Sequence, residues 1–122
     1  MTKYLKNRLK SLGYAGAGLV HLIKSEPHAR IHLLVTILVV IAAIVLNVAR
    51  MDWILLTFAI ALVWAFEAIN TAIEHLCDVI SPDQSDSIKY AKDIAAAAVL
   101  VAAIGAAIIG ITVFSPYIYA LI

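Results

Sequence analysis

Two stretches of the chain, residues 31–48 and 94–114, contain no Asp, Glu, Lys or Arg and are almost wholly apolar. Each is close to the roughly 18–20 residues that an α-helix needs to cross about 30 Å of hydrocarbon. The rest of the 122-residue chain, with 64% apolar and 14% charged residues overall, cannot offset them in a water-soluble globule. A small soluble domain buries only about 60–70% of the surface of its extended chain. Lipid is therefore the solvent to which this composition is suited.

Between the two runs lies a third apolar segment, residues 53–66, which continues into residues 67–80 with three acids, Glu67, Glu74 and Asp78. Residues 52–80 read as one helix, longer than a single span, whose C-terminal half is polar on one face. Pro82 and the polar residues 81–87 end that helix in a loop. Ahead of the first span, Leu5, Leu9, Leu12, Gly16, Leu19 and Ile23 recur at helical spacing, with Lys3, Lys6, Arg8 and Lys10 among them. That pattern predicts an amphipathic helix lying in the membrane surface, its basic side toward anionic headgroups. The expected architecture is all-α, integral to the membrane and a single domain over residues 1–122. It comprises a surface helix over residues 1–26 and transmembrane helices over 29–48, 52–80 and 88–115.

Six of the nine basic residues precede the first span: Lys3, Lys6, Arg8, Lys10, Lys24 and Arg30. Only Arg50 falls at the first turn, whereas Lys89 and Lys92 follow the second. The positive-inside rule then puts the N-terminus and the second loop in the cytoplasm, and the C-terminus outside. No short apolar core with a small-residue cleavage site follows the basic start, so no removable signal peptide is expected. A net charge of +1 gives no electrostatic sign of nucleic-acid binding. A single cysteine, Cys77, excludes an intramolecular disulfide or a cysteine zinc cage and reads as a small packing residue.

In the last span, Ala98, Ala102, Ala106 and Gly110 lie four apart and form a smooth stripe for close helix packing. Three thin spans make little of a bundle alone, so a homo-oligomer is expected. Trp53 and Trp64 fit interfacial belts or helix packing. His21, His28, His32 and His75 lack metal-ligand spacing and read as surface or interfacial side chains. Gly13, Gly16 and Gly18 follow no strand, and no phosphate-loop lysine motif occurs anywhere, which excludes the usual soluble kinase folds.

Chemistry is expected where the apolar pattern is broken. An ionisable residue at membrane depth costs about 2.5–3.5 kcal/mol on the insertion scale and marks function by default. Glu67 is that residue. At about 100° per residue, Asn70, Thr71, Glu74 and Asp78 share its side of the helix, with Glu74 roughly 10 Å and Asp78 roughly 16 Å further toward the cytoplasm. Oxygen ligands of this kind suit magnesium, which is usually held by one or two carboxylates together with substrate phosphates. A deep carboxylate can take a proton from a hydroxyl. Lys92 and Asp93 begin the last helix at the same level, where a lysine and a helix N-terminus favour phosphate. Base, metal ligands and phosphate partner at one interface point to phosphoryl transfer onto a membrane-resident alcohol.

The pattern E-x-x-N-[ST]-A-I-E-x-x-x-D, carried by Glu67, Asn70, Thr71, Glu74 and Asp78, followed by Ala91, Lys92 and Asp93, resembles the signature of the small prokaryotic diacylglycerol kinases. That family includes the undecaprenol kinases of Gram-positive bacteria, and the similarity covers nearly the whole chain. The resemblance implies a homotrimeric kinase of the bacterial inner membrane that uses ATP and Mg2+, with sites shared between subunits. By the same resemblance Glu67 is the catalytic base, and Glu26 and Glu74 bind the metal. Asn70, Lys92 and Asp93 lie near the nucleotide phosphates, and Tyr14 contacts the nucleotide. Asp83 and Ser85 fall in the loop that completes the nucleotide pocket. There the family often has Glu-Tyr-His where this chain has Asp83, Gln84 and Ser85, and Asn7 stands at the spacing of a family arginine, with Arg8 beside it. Arg30, Ile31 and His32 are similar to the undecaprenol-kinase branch, so undecaprenol is favoured over diacylglycerol as the lipid alcohol. Two readings from other classes compete: a small proton-coupled transporter with Glu67 as its proton site, and an accessory membrane protein without activity.

Overall fold

A computed structural model describes residues 2–80, 83 and 85–122. Among them the chain forms four helices: α1 (Lys3–Ser25), α2 (Pro27–Val45), α3 (Arg50–Ile80) and α4 (Asp86–Leu121). The last three are long and apolar enough to cross a membrane. α3 runs as the one long helix anticipated and ends at Ile80. The stop assigned to Pro82, and Gln84 in the loop, lie outside the described residues.

The α1–α2 junction is a single extended residue, Glu26, forced out of helical geometry by the proline that follows it. Pro27 cannot donate to the Ile23 carbonyl, as a continuing helix would require. The Arg30 guanidinium donates instead, from Nε to Ile23 O at 3.1 Å and from Nη2 to Lys24 O at 2.5 Å. Arg30 thus caps α1 from the second turn of α2.

α2 stops at Val45, short of the expected residue 48, because Asn47 takes a positive φ of 50°. Val48 N–H then bonds Ala43 O and Asn47 N–H bonds Ile44 O, a Schellman termination in which asparagine supplies the left-handed residue. Val48 folds back onto Ala43, and both join Leu56 and Val113 in a buried cluster flanked by Trp53, Phe114 and Tyr117.

α4 outruns the expected end at residue 115 and passes through Pro116. Pro116 leaves the Thr112 carbonyl without its helical donor, and the Ser115 hydroxyl lies 3.5 Å from that oxygen. Tyr117 secures the extra turns: its hydroxyl accepts the Ala49 N–H at 2.8 Å and donates to Asp52 Oδ2 at 2.5 Å.

Within the chain, α3 packs most extensively on α4, running antiparallel to it. Ala95 and Ala102 of α4 are buried, so one member of the small-residue stripe, Ala102, is packed within the chain, whereas Ala106 and Gly110 line a cleft. Large apolar side chains of α2, α3 and α4 nevertheless stay exposed, among them Val45, Phe58, Ile94 and Val101. Total accessible surface is 8878 Å² for 13.2 kDa, against about 6,400 Å² for a compact soluble protein of that mass. Such a surface requires lipid or further protein around it.

Candidate active site

The end of the bundle where α2 and α4 begin and α3 finishes collects the acids singled out in the sequence. Glu67 is 4% exposed, buried on α3 where α2 packs against it. Its Oε2 lies 3.4 Å from Nε2 of His32 on α2. One turn further from that end, Trp64 Nε1 donates to Thr36 Oγ1 at 3.0 Å, and the Thr36 hydroxyl donates to the His32 carbonyl at 2.7 Å. Two polar rungs, His32 with Glu67 and Thr36 with Trp64, therefore join α2 to α3.

Toward the end of α3, Asn70 Nδ2 donates to Glu74 Oε1 at 3.4 Å. The other end of that amide, Asn70 Oδ1, is buried without a hydrogen-bond partner. A buried carbonyl oxygen left open beside a carboxylate is a donor set suited to a hard cation. Glu26, at the α1–α2 junction, approaches α3 at His75, with Oε1 3.9 Å from Nε2. His21 of α1 meets His75 edge-on, the ring centres 5.9 Å apart. Glu26 meets His75 and Glu74 meets Asn70, so both acids lie toward the same end of α3. No cluster of three or more His, Cys, Asp or Glu able to hold a metal by itself occurs among the described residues.

Lys92 Nζ lies 2.5 Å from Asp78 Oδ1, tying the start of α4 to the end of α3. Asp93 pairs within its own helix, 2.7 Å from Lys89. Ser85 caps α4, its hydroxyl accepting the Ile88 N–H at 3.3 Å. Asp83 is exposed in the same loop, and Tyr14 stands 75% exposed on α1, away from the other groups. Of the residues assigned in the sequence, Glu67, Asn70, Glu74, Glu26 and Lys92 share one end of the fold. Tyr14 is not drawn in by any contact of this single chain.

One assignment changes: His32, read as a surface or interfacial side chain, lies against Glu67. Trp64, assigned to an interfacial belt or to packing, takes the packing role and bonds across α2–α3. The signal for His32 was available: it is the one titratable residue within the uncharged run 31–48, and an ionisable group at membrane depth calls for a partner. Which acid it meets depends on the antiparallel register of α2 and α3. Cys77 is buried, as its small-residue reading anticipated.

An apolar cleft of about 490 Å³ opens between α2, α3 and α4, walled by Ile31, Val35, Ala59, Ala106 and Gly110, with His32 and Thr36 among its few polar residues. Three apolar helices long enough to span, with a buried acid, further carboxylates and a lysine toward one end, give the architecture of a helical membrane protein.

Residues 13–114 match the family described as prokaryotic diacylglycerol kinase, and the chain belongs to that family. It is 32% identical over 112 residues to the undecaprenol kinase of Bacillus subtilis (strain 168), an alignment covering 92% of this chain and 91% of that one. It is 36% identical over 105 residues to a diacylglycerol kinase of Synechocystis sp., covering 85% of this chain but 60% of the relative. A diacylglycerol kinase of Sinorhizobium sp. is 40% identical over 60 residues, 49% of this chain and 44% of the other. The chain is accordingly a membrane-spanning kinase of lipid alcohols, and the transporter and inactive-accessory readings fall away.

Proposed function

We propose that the chain transfers the γ-phosphoryl group of ATP, with magnesium, to the hydroxyl of undecaprenol at the cytoplasmic face of the bacterial inner membrane. The observation that carries this is the burial of Glu67 within a helix apolar enough to span, with Asn70, Glu74 and Lys92 following it toward the end of the bundle. Diacylglycerol is the alternative acceptor, since relatives bear both names. Undecaprenol is preferred because its alignment covers nine-tenths of both chains. The Arg30-Ile31-His32 segment agrees with that choice.

Glu67 accepts the hydroxyl proton as the lipid oxygen attacks phosphorus, a step for which a positioned carboxylate is worth about 10²–10⁴-fold. Its buried setting keeps water from competing with the lipid for the phosphoryl group. Glu26, Glu74 and the open Asn70 Oδ1 would hold magnesium, which when bound offsets the charge of the phosphates. Lys92, anchored by Asp78, places a cation at the start of α4 for the nucleotide, with Asp93, Asp83, Ser85 and Tyr14 completing that side. The apolar cleft accepts the hydrocarbon of the lipid, with its hydroxyl end toward Glu67. A homotrimer, with neighbouring copies covering the exposed apolar faces, brings Tyr14 to a site from which it stands apart in one chain.

The test is label transfer from radiolabelled ATP in mixed micelles that offer undecaprenol and diacylglycerol in parallel. Labelled undecaprenyl phosphate in excess is expected. Preferential labelling of diacylglycerol would move the assignment to the alternative, and no label in either lipid would end it.

A further inference from the structure

The one polar group that another helix brings to Glu67 has no role in the reading above. Among the described residues, His32 is the only basic side chain within ion-pair distance of this carboxylate; α1 and α4 bring none. On α3 itself, the next polar residue, Asn70, is turned to Glu74. A buried carboxylate with a single neighbour keeps its orientation only through that neighbour.

We propose that His32 is the positioning residue for Glu67: its Nε2–H donates to Oε2, fixing the carboxylate so that Oε1 meets the incoming lipid hydroxyl. This rests on the kinase reading given above. The 3.4 Å separation is longer than a formed hydrogen bond, and catalytic hydrogen bonds are commonly long before the substrate arrives and tighten afterward. The ring is itself held in place. Trp64 of α3 grips Thr36, and Thr36 grips the His32 carbonyl, so α2 cannot slide along α3 at this point without breaking that rung. His32 also stands in the wall of the apolar cleft, so the side chain that meets Glu67 borders the space proposed for the lipid. A misplacement of about 1 Å in such a group can cost on the order of 10²-fold in rate.

The test measures kcat together with KM for ATP and for lipid in wild type, His32→Ala and His32→Gln, each checked for helicity and assembled size. His32→Ala is expected to lower kcat by roughly 10-fold or more, leaving both KM values within about 2-fold. His32→Gln, whose amide N–H can reach the same oxygen, is expected to recover most of the loss. If His32→Ala does not assemble, His32→Met supplies a side chain of similar bulk without a donor, and the comparison with His32→Gln stands. Wild-type kcat in the donor-less variant overturns the proposal. So does a loss confined to the lipid KM, which would make His32 a substrate contact, or a glutamine variant no better than alanine. Absence of transfer by the wild-type chain would sink the kinase reading and this inference with it, whereas transfer that is indifferent to residue 32 sinks this inference alone.

Discussion

Glu67→Gln is the sharpest change at the scale of a residue. The amide fills the same space and can still meet His32, but it cannot accept a proton. Lipid phosphorylation is expected to fall by about 10²–10⁴-fold, with the oligomer still assembled by size-exclusion chromatography. Loss of assembly would instead mark Glu67 as a packing residue between helices. Glu74→Ala addresses the metal separately. It removes the carboxylate that Asn70 holds, and is expected to raise the magnesium giving half-maximal rate by roughly 10-fold or more, as when a metal site loses its support. Titration of activity against magnesium checks this. Glu67 stood out in the sequence because a charge after an apolar run must justify its cost, and Glu74 because it shares the same side of the helix and the family pattern. His32 was not assigned to them, since spacing along one helix gives no information about which helix lies opposite.

At the scale of elements, the spans were visible from their lengths, and the departures lie at their ends. Asn47 closes α2 earlier than hydropathy alone implies, because a backbone motif, not apolar content, ends the helix. Ser115 and Tyr117 carry α4 past a proline that ordinarily marks a boundary. Tyr117 is the joint of that end, touching both the α2–α3 turn and Asp52 at the start of α3. Tyr117→Phe removes one acceptor and one donor together. The thermal midpoint of the detergent-solubilised protein is expected to drop by several degrees, while the rate measured well below that midpoint stays close to wild type, because the joint lies at the opposite end of the bundle from Lys92 and Asp78. Circular dichroism melts and the micelle assay read the two effects independently. A large fall in rate with an unchanged melt would contradict the division of labour between the two ends.

For the molecule as a whole, exposed surface is the deciding quantity. A single chain leaves Val45, Phe58, Ile94 and Val101 uncovered, and hydrocarbon or other copies must take them up. Light scattering of the detergent-solubilised protein is expected to give three copies per particle after correction for detergent. A monomer that is fully active would refute the shared site and leave Tyr14 without a nucleotide to touch.

The amino-acid order alone determined that three helices are long and apolar enough to span and that an acid interrupts the middle one, because hydropathy and the 1.5 Å helical rise act locally and need no partner. Tertiary structure decided who meets whom: His32 with Glu67, Trp64 with Thr36, Lys92 with Asp78 and Tyr117 with Asp52. Each of these joins two helices, and the register of one helix against another follows from packing across the whole interface, which no single segment encodes.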